Sequence, residues 1–448
     1  MTITRILAVA VLATLVPGLS AAAEPEPGRL VIYRGAALID GTGAPLRKDV
    51  AIIVRGDRIE AIRPMGETPA ASSEASEIVD VGGLHVLPGL IDSHVHLATA
   101  PNRRDAEAFL RRHVYSGVTA VRDMAGDARA LADLSRAALL GEIAAPDVHY
   151  AAVMAGASFF DDPRAARSTQ GAKPGTVPWM QAITDQTDMK IAVAQARGTF
   201  ATGIKIYAEL PGSLVTKITE EAHRQGIAVW AHAAVLPASP AEVVNAGVDV
   251  VSHASFLLFA LADQMPQRYR DLGSPDLIKN IMSRYSETHP ATSKLLEDMR
   301  REGTILDATL RIGLAMEKQF PGSMDAVVHL TRQAYRLAIP ISTGTDTSAG
   351  RVEDSPYPLL HEELELLAQR VGMSPADVLR SSALVGAMTL GREKDMGTIE
   401  PGKLANLVFV EKNPLESIAN LRSVVLTVKR GTRYPREEFA RHTPQNTR

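Results

Sequence analysis

Between residues 90 and 346 the sequence repeats one pattern eight times, a short apolar segment that in most cases precedes a stretch of helical character. Alternating strands and helices build a parallel sheet, and eight such units are the number that closes a (β/α)8 barrel. Gly117 and Gly247 support the pattern, because each would end a helix directly before a new strand. The sequence therefore predicts an α/β fold, a TIM barrel. Its predicted strands are Leu90–Leu97, Val118–Met124, Val148–Val153, Ile204–Ala208, Ala228–Ala233, Val248–Ala254, Ile305–Leu310 and Ile339–Asp346.

Short apolar segments without intervening helices flank this central region on both sides. They occur between Leu30 and Val81 and return between Leu404 and Arg430. Neither group has enough strands to bury its own face, so we expect the two to pack together as a small β-sandwich built from both termini. The predicted organisation is a signal peptide at 1–23, the sandwich at 24–84 and 396–433, the barrel at 85–395 and a polar tail at 434–448.

The first residues have the features of a secretory signal peptide. Arg5 gives a positive start, an apolar run of eleven residues follows from Ile6 to Val16, and small residues at 21–23 offer a cleavage site before Glu24. A membrane span would need about 20 apolar residues, and this run is broken sooner. We therefore expect a periplasmic or secreted protein that begins at or near Glu24.

Composition limits the partners and the metal ligands. The formal charge of −3 and the lack of a long basic run give no argument for nucleic acid or an anionic membrane as a partner. We expect a small molecule or a short peptide as substrate, and no membrane contact once the signal peptide is removed. The chain has no cysteine, so any metal must bind to nitrogen and oxygen. Whether the chain forms a homo-oligomer stays open.

Two histidines mark the first barrel strand. In His94-Val95-His96 the side chains two residues apart point to the same side of a strand, so both imidazoles share one face. Two neutral imidazoles side by side suit a cation such as zinc. The alternative is a pair of ordinary histidines at a strand end.

Lys205 lies in the fourth predicted strand. Ile204 and Ile206 would face the helices, which turns Gly203, Lys205 and Tyr207 towards the barrel interior. A lysine there must be paired or chemically changed, because an isolated buried ammonium is very costly. Two interpretations follow, a structural ion pair or a carbamate formed with CO2 whose oxygens bridge two metals.

Three further residues would reach the same rim of the barrel. His232 and His253 lie near the ends of consecutive strands, 21 residues apart, and Lys205 precedes His232 by 27. Packed core histidines are the alternative for each one alone. Asp346 follows the last strand and could bind a metal and take a proton from water, or it could cap the next helix.

Three segments resemble the amidohydrolase superfamily. They are Leu87–His96 with its His-Val-His end, Thr343-Gly344-Thr345-Asp346, and Gly397–Val408. Within the superfamily, Gly203–Tyr207 and Leu360–Leu367 are similar to the metal-dependent prolidase and imidazolonepropionase-like branch.

The resemblance implies a binuclear zinc site and assigns roles to the residues. His94 and His96 would bind the first metal, and His232 and His253 the second. Lys205 would be the bridging carbamate, while Asp346 would be both a ligand and a proton shuttle. Tyr207 would donate a hydrogen bond to the substrate.

The sequence departs from this branch where the substrate would bind. It has His232-Ala233-Ala234 where prolidase-like members often have His-Ala-His, and Ser252-His253-Ala254 where they often have Glu-His-Gly. Two long connections, at 154–202 and 255–304, would form lids or substrate-binding loops. We expect a secreted metal-dependent amidohydrolase that cleaves an amide bond of a small substrate, as in prolidase-like dipeptide hydrolysis, by attack of a metal-bridging hydroxide. The alternative is a lactonase, another esterase or a cyclic-amide hydrolase on the same site.

Overall fold

The computed structural model describes residues 28, 30–67, 76–351 and 355–441, so the expected signal peptide at 1–23 lies outside the described residues. Within the described residues, no helix combines the length and apolar character needed to span a bilayer. The strands are β1 Leu30–Leu38, β2 Arg47–Arg55, β3 Arg58–Pro64, β4 Ser76–Asp80, β5 His85–Pro88, β6 Leu90–His96, β7 Val118–Asp123, β8 Asp147–Gly156, β9 Thr176–Val177, β10 Met180–Ile183, β11 Gly203–Ile206, β12 Ala228–His232, β13 Val250–Ser252, β14 Ile305–Asp307, β15 Ile341–Ser342, β16 Thr347–Ser348, β17 Leu407–Val410, β18 Val424–Lys429 and β19 Thr432–Pro435.

Most of the helices alternate with the strands of the central region. The α-helices are α1 Arg103–Val114, α2 Ala128–Leu139, α3 Pro163–Ser168, α4 Met189–Gly198, α5 Gly212–Arg224, α6 Pro240–Asn245, α7 Pro275–Arg284, α8 Pro290–Glu302, α9 Leu310–Gln319, α10 Ser323–Arg336, α11 Leu360–Leu366, α12 Pro375–Arg380, α13 Gly386–Thr389 and α14 Arg436–Arg441. Short 3-10 turns occur at Met65–Glu67, Ala157–Asp161, Ala254–Leu261, Tyr269–Asp271 and Ile418–Ser423, and π-helical turns at Leu367–Val371 and Ser381–Val385.

The central sheet has the strand order of the predicted barrel. Parallel pairs run in the order β6, β7, β8, β11, β12, β13, β14 and β15, and β16 then pairs with β6. Hydrogen bonds from Ser93 N to Thr343 O (2.7 Å) and from Asp346 N to His94 O (2.8 Å) connect the first strand to the segment between β15 and β16. All eight predicted strand positions hold a strand, and the arrangement fits a (β/α)8 barrel.

The last predicted strand, 339–346, differs from the expectation of one continuous strand. The structure has two short strands, β15 and β16, separated by residues 343–346. Asp346 has φ 51°, a left-handed conformation that no regular strand accommodates, so the chain changes direction there.

The two terminal segments combine, as predicted, but through hydrogen bonds as well as packing. They form one eight-stranded sheet in the order β19, β18, β17, β5, β1, β2 and β3, with β4 paired to β1. A sandwich of two half-sheets was expected. Instead, β5 joins the two terminal segments into one sheet, because it pairs with β1 on one side and β17 on the other. Tyr33 and Phe409, whose ring centroids lie 5.1 Å apart, are buried in a core to which both termini contribute.

Gly89 connects this sheet to the barrel. It stands between β5 and β6, and a Cβ atom there would lie 2.0 Å from Thr119 Oγ1. Only glycine therefore lets β6 enter the barrel directly from β5, which fixes the position of His94 and His96 further along β6.

The described part of the predicted tail is ordered. Tyr434 lies in β19 and Phe439 in α14, and their rings lie 5.6 Å and 5.9 Å from the ring of Tyr115, next to α1. The described part of the tail, residues 434–441, therefore packs against the barrel.

A buried tryptophan fills the barrel interior below the rim. Trp230 is fully buried, donates from Nε1 to Thr389 O (3.0 Å) and lies under the guanidinium of Arg122, 4.7 Å from the ring centroid. Gly203 faces inward as predicted, because a Cβ atom on it would lie 2.6 Å from the Trp230 ring. The packed interior leaves the C-terminal rim as the place for a site.

Candidate metal centre

The residues predicted from the sequence gather at the C-terminal ends of the barrel strands. One cavity of about 170 Å³ is lined by predicted residues from five of these strand ends. Lys205 lies beneath them on β11 and is fully buried. The predicted residues that line the cavity are His94, His96, Tyr207, His232, His253 and Asp346.

His94, His96 and Asp346 form the tightest cluster. One ligand atom from each lies within 4.8 Å of those from the other two. Asp346 Oδ1 is 3.4 Å from His94 Nε2 and 2.9 Å from His96 Nε2. The two-residue spacing on β6 therefore does place both imidazoles on one face, opposite the carboxylate from the last strand.

His232 and His253 continue the cluster on its other side. The ring centroid of His253 lies 5.0 Å from that of His94 and 5.0 Å from that of His232. Burial lowers the pKa of His253 to about 3 and that of His232 well below its usual value. Both imidazoles are therefore neutral, which is the form that binds a metal.

Two of these residues have strained backbones. Asp346 has φ 51° and His253 has φ 73°, in the left-handed region that costs a residue with a side chain about 1–3 kcal/mol. Both stand just beyond a strand end, where the left-handed turn brings the side chain to the cavity. Such strain persists only where the surroundings enforce it, and it concentrates at functional sites.

Lys205 has no carboxylate within ion-pair distance among the described residues, although Asp307 is reached through Ser252. Its Nζ donates to Ser252 Oγ (3.3 Å), and among the described residues it forms no ion pair within 4.0 Å. Burial lowers its pKa to about 7. Lys205 therefore forms no structural ion pair with the described residues. Near pH 7, a large fraction of this lysine is the neutral amine.

The donor atoms fit divalent cations. Nδ1 of His94 donates to Asp307 Oδ2 (2.8 Å) and Nδ1 of His96 to Ala125 O (3.3 Å), so each ring turns Nε2 to the cavity. Burial lowers the pKa of His94, and its neutral Nε2 then presents a lone pair to the Asp346 carboxylate. A divalent cation would satisfy the lone pairs of both atoms, whereas without one the Asp346 carboxylate raises the pKa of His96 and is paired with its Nε2.

His232 supports the same conclusion. Its Nδ1 is buried and has no hydrogen-bond partner among the described residues. A buried polar atom without a partner is costly unless something that is not a protein atom satisfies it. Neutral imidazole and carboxylate donors without cysteine match zinc and similar divalent ions.

A buried polar group that was not predicted from the sequence lies below the cluster. Asp307, at the end of β14, accepts hydrogen bonds from His94 Nδ1 (2.8 Å), Arg122 Nη2 (3.1 Å) and Ser252 Oγ (3.1 Å). Burial by itself would raise the pKa of Asp307, but the hydrogen bond from His94 and the charge of Arg122 hold it below its usual value. Arg122 and Asp307 could have been identified from the sequence, because each places a charge inside a buried strand, β7 and β14.

Replacing Asp307 by asparagine should weaken metal binding about 10- to 100-fold, because partners that orient a ligating histidine have effects of this size. The measurement is metal affinity in competition with a chelator. The matched control is Asp147→Asn, a buried aspartate that pairs with Lys429 (2.9 Å) and Arg430 (2.8 Å) far from the cluster. An unchanged affinity in Asp307→Asn, or an equal loss in Asp147→Asn, would contradict the positioning role.

Aromatic rings cover the cluster. The Tyr207 ring lies 4.3 Å from that of His232 and 4.6 Å from that of Phe159, and burial raises the pKa of Tyr207 well above its usual value. Tyr269, from the long connection 255–304, stacks on His232 at 5.8 Å. The hydroxyl of Tyr207 is therefore neutral and can donate a hydrogen bond at the cavity.

His361 takes no part in the site. Its Nε2 is hydrogen-bonded to Ser116 O (3.2 Å), its ring lies 5.3 Å from that of Tyr357, and it does not line the cavity. It is a buried structural histidine.

Two relatives are similar to this chain in sequence, and a solved structure is similar in fold. Imidazolonepropionase from Legionella pneumophila is 25% identical over 84% of this chain and 90% of its own length. Imidazolonepropionase from Deinococcus radiodurans is 38% identical over 108 residues, 24% of this chain and 25% of its own length, so this chain spans only a quarter of it. A Xaa-Pro dipeptidase with methionine bound in its active site superposes with a TM-score of 0.68, at 22% identity, over 91% of this chain and 100% of its own.

The match to a family profile covers both the barrel and part of the terminal sheet. The profile of the Amidohydrolase family matches residues 85–433, which include His94, His96, Lys205, His232, His253 and Asp346. Enzymes of this family generally use metal ions, which agrees with the donor set at the rim. The chain belongs to the amidohydrolase family and is a hydrolase that acts on carbon–nitrogen bonds.

Proposed function

We propose that this enzyme hydrolyses the amide bond of a small substrate at a site that holds two divalent cations. The observation that carries the proposal is Lys205, a fully buried lysine without an ion-pair partner among the described residues, placed below a cluster of imidazoles and a carboxylate. A lysine used for structure would need a counter-charge. A lysine that forms a carbamate needs burial and a neutral amine instead.

The residues divide into two sets of ligands. His94 and His96 would hold one cation, His232 and His253 the other, and a carbamate on Lys205 would be shared by both. To form the carbamate, the neutral Nζ bonds the carbon of CO2 and loses one proton to solvent. Asp346 lies against His94 and His96 and completes the first set. When bound, the cations would polarise the scissile carbonyl and acidify a water molecule.

The protein's own groups would handle the protons and position the substrate. Burial alone would raise the pKa of Asp346, but the surrounding imidazoles hold it below its usual value, so this carboxylate is ionised and carries no proton of its own. In that form it would take a proton from the attacking water. It would then pass the proton to the departing amine. Tyr207 would donate a hydrogen bond to the substrate, and the rings of Phe159 and Tyr269 would exclude bulk water.

Elemental analysis combined with a substrate panel tests this function. We expect about two zinc ions per chain, since imidazole and carboxylate donors favour zinc, and hydrolysis of at least one class of amide that chelation abolishes. The panel contains dipeptides including Xaa-Pro, N-acyl amino acids, cyclic amides, lactones and simple esters. A metal-replete protein that retains no metal would contradict the binuclear site, and hydrolysis of lactones or esters alone would contradict amide hydrolysis.

Cyclic amides are a second candidate class. The imidazolonepropionase relative, which this chain matches over 84% of its residues, supports their inclusion. The Xaa-Pro dipeptidase supports a linear amide through the shared fold only. The ratio of kcat/KM for cyclic amides to kcat/KM for linear amides decides between the two substrate classes.

We further propose that the enzyme is exported. The support is the sequence of residues 1–23, with a basic start, an apolar run and small residues before Glu24. N-terminal sequencing of the natural product should find a chain that begins at or near Glu24, and an intact Met1 on the mature protein would contradict export.

A further inference from the structure

Two chambers meet at the metal centre. The first is the cavity of about 170 Å³ that holds the histidines, and it also reaches Arg164 on α3. The second, called here the apolar chamber, has a volume of about 260 Å³. Both are lined by His253, Tyr269 and Asp346, so a substrate whose reacting bond lies at these residues can extend into each.

The apolar chamber lies between the long connection 255–304 and α9. Its only carboxylate among the described lining residues is Asp346, at the junction with the first chamber. Beyond this junction a substrate ammonium would face no carboxylate, which is unfavourable, whereas an apolar group would gain from the contact. Its apolar lining includes Phe256, Phe259, Leu272, Ile278, Met316 and Phe320.

The first chamber is also lined by a guanidinium, that of Arg164, which a carboxylate holds in place. Asp162 accepts hydrogen bonds from Nε (3.1 Å) and Nη2 (2.8 Å) of Arg164, and the guanidinium carbon lies 5.5 Å from the centroid of the Tyr269 ring. Nη1 of Arg164 has no hydrogen-bond partner among the described residues. The guanidinium is thus held in place and keeps one edge for a planar anion such as a carboxylate.

We propose that the substrate is an N-acyl amino acid with a bulky apolar acyl group, bound with its carboxylate at Arg164 and its acyl group in the apolar chamber. This inference rests on the proposed amide hydrolysis and narrows it. A free dipeptide fits less well, because the only carboxylate near its α-ammonium is Asp346, which the proposed site already uses for the cations and for proton transfer. An acyl group removes that charge and adds apolar area.

The first test compares substrates on the metal-loaded wild-type enzyme. N-benzoyl and N-octanoyl amino acids should have kcat/KM values at least about tenfold above those of the N-acetyl compounds and of dipeptides with the same C-terminal residue. Dipeptides hydrolysed equally well or better would overturn the inference and leave amide hydrolysis standing. If no amide of either kind were hydrolysed, the proposed function itself would fail.

The second test examines Arg164. Arg164→Gln should lower kcat/KM for N-acyl amino acids about 10- to 100-fold, the size expected for a lost charged hydrogen bond. For the corresponding carboxamides, which carry no carboxylate, kcat/KM should change less than about threefold. The matched control is Arg129→Gln. Asp127 holds Arg129 in the same way, at 2.9 Å and 2.6 Å, and Arg129 covers the Trp179 ring but lies outside both chambers. Equal losses for acids and carboxamides would refute carboxylate recognition.

The third test fills the apolar chamber from α9. Met316→Trp should reduce kcat/KM for the N-octanoyl compound about tenfold or more and spare the N-acetyl compound, because the added ring occupies the space of the long chain. Leu314→Trp, at an exposed position of the same helix, is the control. An unchanged acyl-chain preference in Met316→Trp would show that the acyl group binds elsewhere.

Discussion

Asp346→Asn should retain most of the bound metal and lose about 10²- to 10⁴-fold in kcat, the contribution typical of a positioned general acid–base group. The histidine ligands stay in place in this variant, and the amide oxygen of asparagine can still face the cations. What asparagine cannot do is accept a proton from water and return it to the leaving amine. The effect should therefore appear in kcat much more than in KM.

Metal content and kcat have to be measured on the same preparation. Asp161→Asn is a suitable control, because Asp161 is an exposed aspartate in the turn 157–161 near the mouth of the site and it does not line the metal cavity. Wild-type kcat in Asp346→Asn would refute the proton-shuttle role. Loss of the metal in proportion to activity would show that Asp346 acts mainly as a ligand.

The sequence predicted which residues gather at the rim of the barrel because these residues obey simple periodicities. Alternation along a strand places His94 and His96 on one face and turns Lys205 inward, and the order of strands in a barrel brings His232 and His253 to the same rim. These rules use only local geometry and strand order. They needed no knowledge of which side chains lie next to one another across the sheet.

Features that depend on contacts across the sheet were not predicted. Asp307 and Arg122 lie on β14 and β7, 185 residues apart, and only the folded barrel shows that they form an ion pair under His94. The link through β5 that makes one terminal sheet depends on register, which a hydrophobic pattern does not specify. The position of Tyr269 in a long connection likewise had no periodic signal.

Lys205→Ala should lose bound metal and nearly all activity, because the shared ligand disappears from beneath both histidine pairs. Short carboxylates such as acetate or propionate should restore part of both, since they fit the space vacated by the side chain and supply the two oxygens. Elemental analysis and kcat with and without added carboxylate measure this. Full activity with about two bound metals in the variant would contradict the carbamate.

A second buried lysine provides the control that separates a carbamate from a structural role. Lys429 is also buried, 3% exposed against 0% for Lys205, but it pairs with Asp147 (2.9 Å) and donates to Ala138 O (2.6 Å). Lys429→Ala should lose stability, because it leaves a buried carboxylate with one partner fewer, yet keep its metal when folded. In ¹³CO2-equilibrated protein, a carbamate carbon signal should be present in the wild type and in Lys429→Ala and absent from Lys205→Ala. Its absence from the metal-replete wild type would show that Lys205 serves the site as a free amine.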